Sequence, residues 1–140
     1  MPTWIIFALL SAAFAALVAI LGKIGIGDVD STLATAVRAV IMAGFLVAAA
    51  LVLGKASQLS SVGGRALMFI AGSGIAGALS WLCYFLALKQ GPASGTAALD
   101  RLSVVFVLLF AAMFLGEPLT PRSGLGGLLI VAGAVLLVLK

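Results

Sequence analysis

Trp4–Gly22 reads WIIFALLSAAFAALVAILG, a run without a charge in which Ser11 is the only polar side chain. A stretch of roughly 17–25 apolar residues crosses a hydrocarbon core about 30 Å thick. Four more such runs follow, giving spans at 4–22, 32–54, 66–88, 93–115 and 121–139, the last with its apolar part at Gly124–Leu139. Lipid offers no partner for bare backbone amides, so spanning segments must be helices or closed barrels, and the alternation of a barrel strand is missing. The expected fold is an all-α integral membrane protein with five transmembrane helices.

Composition agrees. Of 140 residues, 64% are hydrophobic and 9% charged, too few polar groups to cover a soluble domain of this size. A formal charge of +4 would suggest nucleic acid in a soluble protein. Here the basic residues stand singly at helix ends, as headgroup anchors do, and no basic patch with interleaved aromatics exists. Nucleic acid is therefore not an expected partner; the lipid bilayer is. Cys83 is the only cysteine and histidine is absent, which excludes a disulfide within the chain, a cysteine metal site and His-based catalysis. No cofactor or metal is expected. Nor is an enzyme, since no nucleophile has a base nearby and no carboxylates cluster.

Ala13-Phe14-Ala15 resembles a signal-peptidase site, but Met1-Pro2-Thr3 supplies no basic leader and the run has span length. The first run is expected to stay as helix 1.

Short connections carry the punctuation. Residues 23–30 precede helix 2, with Ser31 or Thr32 placed to cap it. Lys55 to Gly64 is the most polar segment and is expected to be the most mobile loop. Lys89-Gln90-Gly91-Pro92 turns into helix 4, with Pro92 at or near its first position. Glu117 to Pro121 leads into helix 5, with Thr120 as cap and Pro121 at the first helical position; Glu117 is expected to cap or to pair with Arg122. Loops this short make successive helices antiparallel.

With a cytoplasmic N-terminus, the inner loops hold Lys55, Arg65 and Arg122 and the outer side holds Lys23, Lys89 and Lys140. Three against three gives the positive-inside rule no preference. Either a few unequal positions tip the balance, or copies insert both ways and pair antiparallel.

Ionisable side chains inside spans cost roughly 2.5–3.5 kcal/mol each near a helix centre and need partners or a wet cavity. Arg38 in helix 2 and Asp100 and Arg101 in helix 4 are such residues. Helices 2 and 4 run the same way, and at 1.5 Å per residue Arg38 and Asp100 lie roughly 9 and 12 Å deep, so they are able to pair. Thr96, Asp100 and Ser103 are spaced i, i+4, i+7 on helix 4. Ser73, Gly77, Ser80 and Tyr84 are spaced i, i+4, i+7, i+11 on helix 3, with Trp81 beside them. Arg38, Ser80, Trp81, Tyr84, Thr96, Asp100 and Ser103 thus fall in one half of the membrane and form the candidate substrate-cavity or gating site. Two plainer readings stand beside it: an Arg38–Asp100 pair that only locks helices, and Trp81 and Tyr84 as interfacial belt aromatics. Gly126 and Gly133, seven apart on helix 5, mark either a dimer seam or helix packing within the chain.

Ala87-Leu88-Lys89-Gln90-Gly91-Pro92-Ala93-Ser94, Leu99-Asp100-Arg101-Leu102-Ser103-Val104-Val105, and Phe114-Leu115-Gly116-Glu117-Pro118-Leu119-Thr120 followed by Gly127–Gly133 resemble EamA-type members of the drug/metabolite transporter superfamily. The likeness covers essentially the whole chain. Full-length members are similar to two five-helix halves fused as an inverted repeat of ten helices, and this chain looks like one half. The resemblance implies a transporter of small metabolites or drugs, an exporter of the bacterial inner membrane, working by alternating access as an antiparallel homodimer. The Gly126-to-Gly133 spacing also resembles the dimerising last helix of the small multidrug resistance family. That family carries a buried glutamate in its first helix, which this chain lacks; Asp100 is the only acid deep in a span. An accessory subunit that pairs with a different five-helix protein is the alternative.

Overall fold

The computed structural model describes residues 2–139, and among these every regular element is helical. Lys140, counted among the outer charges above, lies outside them. The elements are α1 (Thr3–Ile26), α2 (Ser31–Val52), a 3₁₀ turn (Ala56–Ser61), α3 (Gly64–Gln90), α4 (Ala93–Asp100), α5 (Ser103–Phe110) with a π-helical end (Ala111–Leu115), and α6 (Pro121–Val138). Taking Ala93–Leu115 as one span, five helical spans among the described residues are long and apolar enough to cross a membrane. Large side chains such as Phe7, Phe45, Phe69, Phe114 and Leu128 are exposed along them, as lipid-facing residues must be.

Two helices run past their expected ends. Lys23 lies in the last turn of α1, and Arg65 and Lys89 lie inside α3. A charge does not stop a helix, because a long stem carries it to the interface and a cation suits the C-terminal turn. The cap of α2 is also one residue earlier than expected. Asp30 Oδ1 accepts the amides of Thr32 at 2.9 Å and Leu33 at 3.0 Å, which leaves Ser31 as the first helical residue. With three capping-type residues in a row, the one whose oxygen reaches the second and third amides decides the boundary.

The chain forms two compact units. One comprises the described residues up to Lys23 and from Gln90 onward; the other is Ile24–Lys89. In the first, α4 and α5 both pack on α6. Small residues permit this: a Cβ added to Gly127 would meet Leu108 at 3.4 Å, and one added to Gly95 would meet Pro92 at 3.3 Å and Val138 at 3.6 Å. Lys23 Nζ donates to the Gly91 carbonyl at 2.8 Å, tying the end of α1 to the turn before α4. Gly116, at φ 69°, closes the π-helical end in the left-handed conformation that glycine accepts without strain. Thr120 and Ser123 then exchange backbone and side-chain bonds in a capping box, with Pro121 first in α6. The capping expected of Glu117 is therefore done by Ser123, and among the described residues no ion pair links Glu117 to Arg122.

In the second unit, α2 and α3 form a hairpin. Gly54, at φ 65°, ends α2 with Lys55 N–H bonded to the Ala50 carbonyl at 2.8 Å. The polar connection expected to be a loop is a 3₁₀ turn whose Ser57, Ser60 and Ser61 hydroxyls each donate to the carbonyl three residues back. At the other end of the hairpin, Lys89 Nζ donates to the Val29 carbonyl at 2.9 Å. The Asp30 carboxyl is held below its ordinary pKa, chiefly by the Leu33 amide and against an opposing desolvation, with Thr32 and the Lys89 charge adding to the lowering.

Candidate functional site

Arg38 stands at the start of the third turn of α2, and α3 returns antiparallel to place Trp81 at its level. The guanidinium carbon lies 3.5 Å from the Trp81 ring centroid and 5.5 Å from that of Phe85. Tyr84 meets Trp81 edge-on, with centroids 5.5 Å apart and planes at 77°, and Phe85 lies 6.1 Å from Trp81 and 6.3 Å from Tyr84. A cation over an indole face gains roughly 0.5–2 kcal/mol, more as water is removed. This stacking is how the span tolerates its arginine. Arg38 is half-buried.

Beside this stack, a groove of about 520 Å³ runs between α2 and α3. Thr32, Thr35 and Arg38 line one end; Met42, Ala43 and Leu46 continue along α2, faced by Gly74, Gly77, Ala78, Trp81 and Leu82 of α3. The Thr35 hydroxyl donates to the Ser31 carbonyl at 2.7 Å, as helix threonines do. Gly74 and Gly77 have open space where a Cβ would stand, so here the missing side chains make room rather than contact. The face of α3 on the groove is the 74–77–78–81 stripe. Ser80 is exposed off that stripe, and Ser73 turns its hydroxyl back to the Ile70 carbonyl at 2.8 Å.

The remaining sequence candidates lie in the other unit. Thr96 is buried, whereas Asp100 and Ser103 are exposed. The helix tightens between them. Arg101 N–H is shared by the Ala97 and Ala98 carbonyls at 3.3 and 3.2 Å, and Leu102, Val104 and Val105 each bond three residues back. Such 3₁₀ segments inside a helix often mark functional positions, and in transporters interrupted helices carry the polar site. Gly126 and Gly133 of α6 also have nothing within 4 Å of an added Cβ; it is Gly127 that packs within the chain.

A model of the EamA-like transporter family matches residues 2–139. The chain belongs to that family. It is accordingly a multi-pass membrane transporter with the size of a half-size member. It is 44% identical over 135 residues, 96% of each chain, to an uncharacterised transporter in the cobO 3′ region of a Sinorhizobium species. It is also 40% identical over 67 residues to the pseudopaline exporter CntI of Pseudomonas aeruginosa strains UCBPP-PA14 and PAO1, a match covering 48% of this chain and 23% of the exporter. No solved structure matches.

Among these family residues, sequence reasoning missed the groove and the role of Phe85, Thr32 and Thr35. One signal was available: Thr32, Thr35, Ala39, Met42 and Leu46 recur at three- and four-residue steps, a helix face that passes through Arg38.

Proposed function

We propose that this EamA-like transporter exports small metabolites or drugs across the bacterial inner membrane by alternating access, as an antiparallel homodimer. The observation that carries the reading is Asp100, an exposed carboxylate at a tightened turn inside the span that begins at Ala93. A charge left against lipid is costly, so a second copy or a water-filled path must cover it. Three further points support the pairing. The exporter CntI is about twice as long as this chain, as the two coverages imply. The interior and exterior charges balance. Gly126 and Gly133 have room for a close neighbour.

In such a dimer each copy contributes an Arg38–Trp81–Tyr84 stack and the polar residues Thr96, Asp100 and Ser103, related by a two-fold axis in the membrane plane. Solute passes between them as the two ends close alternately. Arg38 and Asp100 hold charge or gate, and Ser80, Thr96 and Ser103 offer hydrogen bonds. Export is the direction suggested by the likeness to CntI.

The test compares solutes accumulating in the medium of cells that hold equal membrane levels of wild type and Asp100→Asn. Solutes enriched by the wild type are expected to fall to the level of cells without the protein. Equal enrichment by both would contradict the role of Asp100.

A further inference from the structure

We propose that the α2–α3 groove binds an amphipathic organic anion, its carboxylate or phosphate on Arg38 and its apolar body along Met42, Leu46 and Gly77. This deepens the transport reading by naming a cargo class, and it rests on that reading only there.

The argument begins with what Arg38 lacks. Trp81 takes one face of the guanidinium but offers no acceptor, and a guanidinium carries five N–H donors in a planar fork. Among the described residues no carbonyl, hydroxyl or carboxylate accepts from Arg38. An anchored fork with unfilled donors, facing a cavity, matches a carboxylate or phosphate bidentately.

The cavity sets the rest of the ligand. Its 520 Å³ falls in the range of small-molecule sites, roughly 300–1,000 Å³. Its polarity is one-sided. Threonine hydroxyls and Arg38 stand at one end, and from Met42 onward the walls are alanine, glycine, leucine and methionine. From Arg38 to Leu46 the groove follows α2 for about 12 Å at 1.5 Å per residue. A small inorganic anion would leave that length unfilled. An apolar cation would meet the guanidinium with no acid in the lining to balance it. Gly74 and Gly77 deepen the floor, and Met42 has the flexibility to follow different shapes.

The same chemistry arrives from two sources, a soluble amphipathic anion or an anionic phospholipid of the bilayer. The protein carries two tryptophans, so Trp4→Phe leaves Trp81 as the only indole reporter. In this background, in phosphatidylcholine vesicles, decanoate is expected to change Trp81 emission saturably. Decyltrimethylammonium of equal chain length and inorganic phosphate are expected not to. Arg38→Gln should weaken decanoate roughly tenfold or more, the worth of a charge-assisted hydrogen bond, and Arg38→Lys, which keeps the charge but loses the planar fork, should fall between the two. Gly77→Leu, which fills the groove and spares the charge, should also weaken it. The emission change is read in vesicles without any solute gradient, so loss of binding is separable from loss of transport. If brominated phosphatidylglycerol quenches Trp81 more than brominated phosphatidylcholine, the lipid is the source; if both quench equally while decanoate saturates, the anion comes from water. Equal binding of the cation, or unchanged decanoate binding in Arg38→Gln or Gly77→Leu with native helicity, would overturn the assignment.

Discussion

The two units use the same residue type to opposite ends. On α6, Gly127 lets Leu108 of α5 come within 3.4 Å of where a Cβ would stand; on α3, Gly74 and Gly77 meet nothing and leave a groove open to one side of Trp81. Without a hydrophobic drive between helices in lipid, small residues are what permit close packing. Where no helix comes in to use the space, the same glycines become a cavity. A glycine-rich span is therefore either a seam or a site, and only its neighbours decide which.

That contrast sets the expected sizes of perturbation. Gly127→Leu drives a side chain into the α5–α6 contact and should lower stability by about 1–3 kcal/mol, as overpacking does. Gly74→Ala, which points into open space, should lose nothing and gain up to about 1 kcal/mol from helix propensity. Thermal unfolding of both variants in the same detergent measures the difference. Comparable losses at the two sites would erase the distinction between seam and groove.

A smaller effect separates the hairpin's mouth from the rest. The folded Asp30 carboxyl titrates below its ordinary value because the Leu33 and Thr32 amides donate to it and Lys89 lies near. A depressed folded value means the cap's contribution is complete above about pH 4 and is lost as pH falls through the lower folded value. Helicity of the wild type should therefore dip in that acid window. Asp30→Asn, which caps without titrating, should not show this component.

Much of the architecture was legible in the residues. The five spans follow from run length alone, and the caps at Thr120 and Pro121 follow from their chemistry. Helix ends were harder. Lys23, Arg65 and Lys89 look like loop residues, yet each continues a helix whose end is set by Gly27, Gly64 or Gly91 instead. The common level of Arg38, Trp81 and Tyr84 could be worked out from the rise per residue. The stack itself could not, because a cation–π contact between helices leaves no periodic mark in either one. The tightened turn at Arg101 and Leu102 was also hidden. No proline or glycine lies between Thr96 and Ala112 to announce it, and a Thr96–Asp100–Ser103 stripe drawn on an ideal helix puts into one environment residues that the structure separates.

The central claim is that five spans make half a pathway and a copy of opposite orientation makes the other half. A reporter fused after Lys140, active on only one side of the membrane, tests it directly when paired with a second reporter active on the other side. Comparable signal from both, with cross-links between oppositely oriented copies, is the predicted result. Signal from one side alone would contradict it.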